Sequence, residues 1–397
     1  MGEPVRTVLL ISPNVTDKMG GEAIKALQFA LYLKKVGRRF KIICHARSAH
    51  AVETTFEADE YVMVHDNWFQ LLLWYSVILR PFLNLDFNRR AAGIISRGFD
   101  PKAIILHYIA PVSPVVVRLP PDGFDFVAGP MTGNIFYPPA FKQRMSAKDR
   151  IRETLHVSLQ KLSRALFSEK KRALALLVSG YERTRASLLM AGAREDRLVD
   201  VVDAGVSPDI SAHDRIRNER RNNRFFCSGR MVDHKGIDLA LKALAKTTDI
   251  QLDISGDGEK RAELEALATS LGVVDRVNFL GWLPYDNLVG GFKNYRAYVF
   301  PSLAEANGIV MQEAMMIGLP VITLRWGGPG ALSTDDGAVY VEPTDEASVV
   351  ADIAAAMTDL ADNPNRAEAI SIKGRELAEA RFKWDDVAAS WMAVYLD

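Results

Sequence analysis

Short runs of β-branched residues alternate with helical patterns along the chain, and this alternation restricts the possible folds more than any other feature. It is typical of parallel sheets whose strands are joined by helices. In the first half of the chain, strands are predicted at residues 5–12, 39–44, 61–64, 103–107, 124–128 and 173–179. In the second half, they are predicted at residues 224–228, 251–255, 276–280, 297–300, 320–324 and 338–341. The sequence therefore predicts the α/β class, with two doubly wound, Rossmann-like sheets.

The length of the chain supports a division into domains. Its 397 residues exceed what one hydrophobic core usually organises. A polar stretch rich in Asp, Asn, Ser and Arg runs from Asp203 to Asn223 and predicts a linker. The expected organisation is an N-terminal domain at 1–205, a linker at 206–223, a C-terminal domain at 224–380 and a final helix at 381–397. Ligands of doubly wound sheets bind at the carboxyl ends of the strands, so a cleft between the two domains is expected.

Charge and cysteine content exclude several classes of protein. The formal net charge is zero, which argues against a protein built to coat nucleic acid. Cys44 and Cys227 are far apart, so a disulfide framework or a cysteine metal site is not expected, and a reducing, cytoplasmic location is predicted. The apolar run at 68–82 is interrupted by polar residues before it could span a membrane.

The segment from Phe300 to Leu324 is the most informative part of the sequence. A buried strand is predicted to end at Phe300, and a helix is predicted from Gly308 to Ile317. Glu305 lies in the loop before that helix, and Glu313 follows eight positions later. Such a spacing corresponds to about 12 Å along a helix axis, so one long polar ligand could contact both carboxylates.

The predicted start of this helix is suited to an anion. The N–H groups near Gly308 and Ile309 have no partner within the helix, and the helix dipole adds partial positive charge there. A phosphate is therefore expected between the two carboxylates. The alternative is that Glu305 is an ordinary acid at a helix entry and Glu313 a solvated helix residue.

A second group of candidate residues follows the first strand of the second domain. In the run Ser228 to Gly236, Gly229 permits a tight turn, and Arg230 and Lys235 could both face a diphosphate. A solvated turn is the alternative. Gly256 ends the next predicted strand and Trp282 follows the one after it.

Two candidates lie in the first domain. Gly20 and Gly21 follow the first strand and open a helix predicted at 22–36, where free N–H groups could hold a phosphate or sugar hydroxyls. His107 ends a buried strand and is predicted either to face a ligand or to pack in the core.

The second domain resembles the retaining glycosyltransferases of family four, within the glycosyl transferases of group 1. This family has the GT-B architecture of two facing Rossmann-like domains. The matching elements are Pro301-Ser302, Glu305, Glu313-Ala314-Met315, Gly318-Leu319-Pro320-Val321, the run 228–236, Gly256-Asp257-Gly258 and Phe279-Leu280-Gly281-Trp282. Two departures concern the donor sugar: Ala306-Asn307 replaces the usual glycine after the first glutamate, and Gly327-Gly328 is followed by Pro329 instead of leading to a glutamate.

The resemblance implies transfer of a sugar from a UDP- or GDP-linked donor to a hydroxyl acceptor, in polysaccharide, glycolipid or other glycan biosynthesis. The N-terminal domain would lie on the acceptor side, with the Gly20-Gly21 loop closing over donor and acceptor. The C-terminal domain would hold the nucleotide sugar, and the final helix would cross back to the N-terminal domain. Attack would occur on the front face of the sugar, with the departing phosphate taking the acceptor proton. A covalent intermediate on Glu305 is the minor alternative.

The resemblance also implies a role for each candidate residue. Catalytic roles fall on Glu305, Arg230, Lys235 and His107, and substrate-binding roles on Glu313, Gly20, Gly21, Asn307, Gly308, Ile309, Gly229, Gly256 and Trp282. Within these sets, Glu313 would bind the ribose, Glu305 the transferred sugar, and the region of Trp282 the base. The sequence has no Asp-x-Asp motif, so neither a metal nor another cofactor is expected.

Three further possibilities remain open from the sequence. A nucleotide-sugar 2-epimerase of similar shape would bind the same donor without an acceptor, and a non-catalytic sugar-nucleotide-binding protein is a third class. The basic, amphipathic stretch at 142–172 and the aromatic run at 68–82 predict peripheral contact with the inner face of a membrane and a lipid-linked acceptor. Packing of both stretches inside the first domain is the alternative.

Overall fold

The structure is a computed structural model that describes residues 5–18, 21–68, 70, 83–133, 136–212, 215, 223–332 and 336–395. The chain divides into two compact units. Unit 1 comprises Met1–Asn134, Thr154–Asp203 and Ala388–Asp397. Unit 2 comprises Ile135–Glu153 and Ala204–Val387.

Unit 1 contains a seven-stranded sheet in which every pairing is parallel. Its strands are β1 Thr7–Ile11, β2 Phe40–His45, β3 Tyr61–Val64, β4 Ile104–Tyr108, β5 Phe126–Thr132, β6 Ala175–Ser179 and β7 Leu198–Asp200. Their order across the sheet is β3-β2-β1-β4-β5-β6-β7. β1 therefore lies between β2 and β4, with Leu10 opposite Ile42 on one side and His107 on the other.

Helices join the strands of unit 1, as parallel strands require. They are α1 Gly21–Lys35, α2 Ala49–Thr55, α3 Leu83–Gly98, α4 Ala147–Leu166, α5 Glu169–Arg172 and α6 Glu182–Met190. The first seven residues of α4 belong to unit 2 and the rest to unit 1. One face of the sheet packs with α3 and α6 around a core that includes Ile43, Phe87, Leu106, Phe126 and Leu188.

Unit 2 contains a six-stranded parallel sheet. Its strands are β8 Arg224–Ser228, β9 Gln251–Ser255, β10 Val277–Gly281, β11 Ala297–Phe300, β12 Val321–Leu324 and β13 Val339–Val341. Their order is β10-β9-β8-β11-β12-β13, so the chain leaves β8 toward one edge and later returns to its other side at β11. This reversal defines a switch point at the carboxyl ends of β8 and β11.

The helices of unit 2 cover its sheet. They are α7 Pro208–Ser211, α8 Ile237–Leu244, α9 Arg261–Ser270, α10 Tyr285–Gly291, α11 Ile309–Ile317, α12 Gly327–Leu332, α13 Glu346–Asp362, α14 Pro364–Arg381 and α15 Trp384–Met392. The last of these runs from unit 2 into unit 1 at Ala388. A continuous apolar core includes Phe225, Leu239, Ile254, Val299 and Met357.

The predicted α/β fold with two Rossmann-like sheets is confirmed. All twelve predicted strands are present, with ends displaced by a few residues, and β7 was not predicted. The predicted domain boundaries stay predictions, and much of the proposed linker at 206–223 lies outside the described residues. None of the helices in the described residues is both long and apolar enough to span a membrane.

Candidate functional site

The loops that follow β8 and β11 lie side by side at the switch point of unit 2. The N–H of Leu303 donates to the carbonyl of His234 over 2.8 Å, and the Ser302 hydroxyl donates to the same oxygen over 3.2 Å. Gly236 adopts a left-handed conformation with φ of 65°, and a Cβ atom there would lie only 2.2 Å from the Pro301 carbonyl oxygen. Glycine at this position therefore allows the two loops to approach closely.

This approach pairs Lys235 with Glu305. The Lys235 ammonium donates to Oε2 of Glu305 over 2.5 Å, and each side chain is about one-fifth exposed, at 22% and 20%. The Lys235 Nζ also lies 5.7 Å from the centre of the Phe300 ring. The Glu305 carbonyl accepts a hydrogen bond from the Gly328 N–H over 3.0 Å, which fixes the loop behind the carboxylate. A positive and a negative group are thus held together at the switch point.

The glycines at the ends of neighbouring strands bring further predicted residues to the same edge. The Gly229 N–H donates to the Ser255 carbonyl over 3.0 Å, and the Gly256 N–H donates to the Gly281 carbonyl over 2.8 Å. Arg230 follows Gly229 and is exposed. Its side chain has no hydrogen bond or ion pair within the described part of the chain, so its guanidinium is available to an anion.

Trp282 lies at the same edge, directly after β10. Its side chain is 67% exposed, which is unusual for an indole. An exposed aromatic ring at the carboxyl end of a strand offers a flat surface on which a planar ligand group could stack.

The start of α11 is formed by the residues that the sequence predicted. Gly308 caps the helix in a left-handed conformation with φ of 67°, and Ile309 is its first residue. Asn307 is buried, and its Oδ1 accepts a hydrogen bond from the Gln312 side chain over 2.9 Å. Asn307 thus holds the loop, whereas the backbone at Gly308 and Ile309 forms the helix entry. Glu305 lies before the cap and therefore outside the helix. The separation between Glu305 and Glu313 that was estimated from the rise of a helix is valid only for the part from Ile309 onward.

Glu313 is buried in α11, with only 4% of its surface exposed, so the alternative of a solvated helix residue is wrong for this position. Its Oε1 accepts a hydrogen bond from the Tyr285 hydroxyl. Burial raises the pKa of Glu313 to about 7, against a smaller lowering by the Tyr285 hydrogen bond. Glu313 therefore titrates near neutral pH, which is common for carboxyls in functional sites.

The predicted residues of the first domain belong to unit 1. Gly21 is the first residue of α1 and is exposed, while Gly20 lies outside the described residues. His107 is fully buried in β4, and its two ring nitrogens contact the Tyr395 hydroxyl and the Gly129 carbonyl. Burial lowers the pKa of His107 to about 4. A contact between His107 and a ligand would require the exchange of one of these hydrogen bonds.

Two residues of the unit 2 site were not predicted. Tyr285 contacts Glu313, and His234 supplies the carbonyl that joins the two loops. Burial, with help from the neighbouring Lys235, lowers the pKa of His234. The available signal for Tyr285 was its position three residues after Trp282, at the edge where the other candidates meet.

Two cationic side chains, Arg230 and Lys235, and the N-terminus of α11 lie at the switch point of a Rossmann-like sheet. These features are typical of a protein that binds a phosphate-containing ligand. Residues 210–377 match the family model described as glycosyl transferases group 1. The resemblance predicted from the sequence is confirmed at this level. The finer assignment to family four stays a prediction.

Curated relatives of this chain include proteins named as glycosyltransferases. The 2-deoxystreptamine glucosyltransferase of Streptomyces kanamyceticus is 27% identical over 309 residues, which cover 72% of this chain and 77% of that protein. The lipopolysaccharide core biosynthesis glycosyltransferase LpsD of Rhizobium meliloti is 32% identical over 168 residues, or 42% of this chain and 47% of that protein. The second match thus spans less than half of either chain.

A solved structure extends the similarity of fold to nearly the whole chain. HepE of Anabaena, crystallised with UDP and glucose, is similar with a TM-score of 0.62 at 14% identity, over 98% of each chain. At this identity the likeness concerns the fold alone. It confirms the predicted GT-B class of two Rossmann-like domains.

The buried carboxyl of Glu313 leads to a prediction about stability. Because its pKa is raised to about 7 in the folded chain, from 4.5, the folded state loses stability as the pH rises from about 4.5 through 7. Glu313→Gln removes the ionising group while keeping its shape. We expect this variant to exceed the wild type at pH 8 by up to about 3 kcal/mol in free energy of unfolding, and to match it near pH 4.5.

Thermal and urea unfolding at pH 4.5, 6 and 8 measure this difference. Glu259→Gln is the matched control, because Glu259 is exposed in the same unit. A Glu313→Gln variant that is no more stable than the wild type at pH 8 would contradict the prediction.

Proposed function

We propose that this chain is a retaining, metal-independent glycosyltransferase that moves a sugar from a UDP- or GDP-linked donor to a hydroxyl acceptor. The acceptor would be a polysaccharide, a glycolipid or another glycan. The family model matched by residues 210–377 supports sugar transfer, and the name of the lipopolysaccharide core biosynthesis relative supports a glycan acceptor. Both relatives are transferases, so they do not favour the epimerase alternative.

The observation that carries this proposal is the Lys235–Glu305 pair at the switch point. A nucleotide diphosphate sugar presents negative phosphates and neutral hydroxyls side by side, and these groups match an ammonium and a carboxylate respectively. On donor binding, a phosphate oxygen would share or replace Glu305 as the partner of Lys235. Glu305 would then be free to accept hydrogen bonds from the hydroxyls of the transferred sugar.

The proposed reaction breaks the bond between the anomeric carbon and the diphosphate oxygen. Positive charge develops on the sugar and negative charge on the leaving diphosphate, so fixed cations near the phosphates lower the barrier. Arg230, Lys235 and the N–H groups at Gly308 and Ile309 would supply them. A bond to the acceptor oxygen forms on the same face, and the acceptor proton passes to the departing phosphate.

The rest of the donor would extend toward Glu313 and Trp282. The Glu313 carboxyl can accept hydrogen bonds from ribose hydroxyls, and the exposed Trp282 ring can stack on a base. Trp282 offers no hydrogen bonds specific to one base, so UDP and GDP are both retained as candidates. The contacts proposed for Gly20, Gly21 and His107 stay predictions.

Substitution of the central ion pair tests the assignment of the site. We expect Lys235→Ala and Glu305→Gln each to lower turnover about a hundredfold or more, as when a contact made in the transition state is lost. Turnover is measured as release of UDP or GDP from the sugar nucleotides, with an acceptor glycan or with water. Because NMR reports the configuration of the product, the same assay separates retention from inversion and transfer from epimerisation.

Lys242→Ala is the matched control for the ion pair. Lys242 also forms a 2.5 Å ion pair in unit 2, with Glu346, but it lies on α8 away from the candidate site. Turnover at the wild-type level in either Lys235→Ala or Glu305→Gln would remove the site assignment.

Metal independence is proposed from the ligands available near the phosphates. No group of three His, Cys, Asp or Glu side chains in the described residues is arranged to hold a metal ion. We therefore expect turnover to be unchanged in EDTA, because Arg230 and Lys235 would neutralise the diphosphate. Loss of turnover in EDTA, with recovery on addition of Mg²⁺ or Mn²⁺, would contradict this proposal.

We also propose that the acceptor is presented at a membrane surface. Helix α4 exposes a row of apolar side chains, with Ile151 at 67%, Leu155 at 53%, Leu162 at 50% and Leu166 at 64% exposure. Their positions fall on one face of the helix. Basic residues flank this row at several points in α4, so the surface combines apolar contact with attraction to anionic lipid. The exposure of these four side chains supports the membrane proposal over the alternative in which the row packs inside the first domain. Most of the 68–82 run lies outside the described residues.

Sedimentation with vesicles tests the membrane contact. We expect the wild type to bind vesicles containing phosphatidylglycerol and not vesicles of phosphatidylcholine alone. Replacement of Leu155, Leu162 and Leu166 by Ser should weaken binding by at least about tenfold, because apolar area is lost. A double variant with Val274→Ser and Ile372→Ser, at exposed apolar positions of unit 2, is the control. Absence of binding to both vesicles at low salt would contradict the proposal.

A further inference from the structure

The two oxygens of the Glu313 carboxyl have different surroundings. Oε1 accepts the hydrogen bond from Tyr285, while Oε2 is buried and has no hydrogen-bond partner within the described residues. Burying an unpartnered carboxylate oxygen is costly, and most buried polar atoms in proteins are hydrogen-bonded. Oε2 is therefore the atom of this carboxyl whose capacity to accept a hydrogen bond is unused within the part of the chain that the structure describes.

Tyr285 reaches Glu313 from the first position of α10, directly after Pro284. Its side chain is 51% exposed, although its hydroxyl contacts a buried carboxyl. A phenol has a single hydrogen to donate, and here it is donated to Glu313. The Tyr285 hydroxyl thus fixes the orientation of the carboxyl from the solvent side.

We infer that Tyr285 is a positioning residue of the ribose site, where it holds Oε1 of Glu313 and leaves Oε2 to accept a single ribose hydroxyl. This inference rests on the proposed function, in which Glu313 binds the ribose of the donor. Tyr285 remains in place when the nucleotide is bound. Glu313 therefore binds only one of the two neighbouring ribose hydroxyls.

Glu313 accepts a hydroxyl through Oε2 more strongly in its ionised form, and Tyr285 favours that form. Burial raises the pKa of Glu313 to about 7, and the hydrogen bond from Tyr285 lowers it. The titratable groups that face this carboxyl are the phenols of Tyr285 on α10 and Tyr298 on β11. Both phenols are neutral across the range in which Glu313 titrates, since burial raises the pKa of each above its usual value. Tyr285→Phe therefore raises the pKa of Glu313 further.

The test measures the affinity of UDP and GDP by titration calorimetry between pH 6 and pH 9. For the wild type, the affinity of the preferred nucleotide should rise with pH through about 7. For Tyr285→Phe, the rise should move to higher pH, with affinity about tenfold weaker at pH 7 and close to that of the wild type at pH 9. Thermal unfolding verifies that each variant is folded.

Tyr295→Phe is the matched control. The Tyr295 hydroxyl also donates to a carboxyl of unit 2, Oδ2 of Asp253, over 3.0 Å. Its loss should leave the pH profile of nucleotide affinity unchanged. A profile for Tyr285→Phe that superimposes on that of the wild type, or tighter binding at pH 7, would overturn the inference.

Deoxynucleotides supply a second, independent test. The 2′-deoxy and 3′-deoxy forms of the preferred nucleotide are compared with the parent compound on the wild type. One of the two should bind about tenfold more weakly, and the other should bind nearly as well as the parent. Equal, large losses with both forms would mean that the ribose uses both oxygens and displaces Tyr285, which would overturn the inference.

Failure of the proposed function gives a different result in these binding experiments from failure of the inference about Tyr285. If the wild type binds neither nucleotide, or if Glu313→Gln binds UDP and GDP as tightly as the wild type at pH 8, the proposed ribose contact itself is wrong. If Glu313→Gln loses affinity while Tyr285→Phe behaves as the wild type, only the role of Tyr285 is wrong.

Discussion

The close approach of two backbone segments, at Gly236 and Pro301, is the constraint on which the site of unit 2 depends. Any Cβ atom at Gly236 would lie 2.2 Å from the Pro301 carbonyl oxygen, well inside the contact distance of the two atoms. A similar contact exists at Gly256, where a Cβ atom would lie 2.0 Å from the Gly229 carbonyl oxygen. These contacts draw together loops that leave the sheet from different strands. Lys235 and Glu305 can pair because the backbones behind them are already in contact.

Much of the fold could be predicted because buried parallel strands leave a clear pattern in the sequence. The runs at 224–228 and 297–300 are short, mostly apolar and followed by a glycine or a proline, so both were predicted as strands. The strand Leu198–Asp200 was missed because three residues are too few to form a pattern. The end of α11 was predicted because a glycine followed shortly by a proline, Gly318 and Pro320, stops a helix, and Gly318 indeed adopts the left-handed C-cap conformation.

The parts of the site that were not predicted depend on contacts between distant residues. The Tyr285 hydroxyl meets Glu313 from a different helix, and nothing in either local sequence indicates the pair. His107 contacts Tyr395, which lies 288 positions later in the chain. The amphipathic pattern of α4 is equally compatible with an exposed or a buried apolar row, because periodicity identifies a face but not its surroundings. Only the packing of the folded chain decides such cases.

The division of the chain between the units has a consequence for the order of folding during synthesis. Trp391 and Tyr395 are fully buried in unit 1, where the Trp391 indole donates to the Val202 carbonyl over 2.9 Å. These residues follow the whole of the 204–387 segment that forms unit 2. On the ribosome, the sheet of unit 1 can therefore form early, but its core stays incomplete until unit 2 has emerged. Unit 2 contains no residue after Val387, so it can complete its fold first.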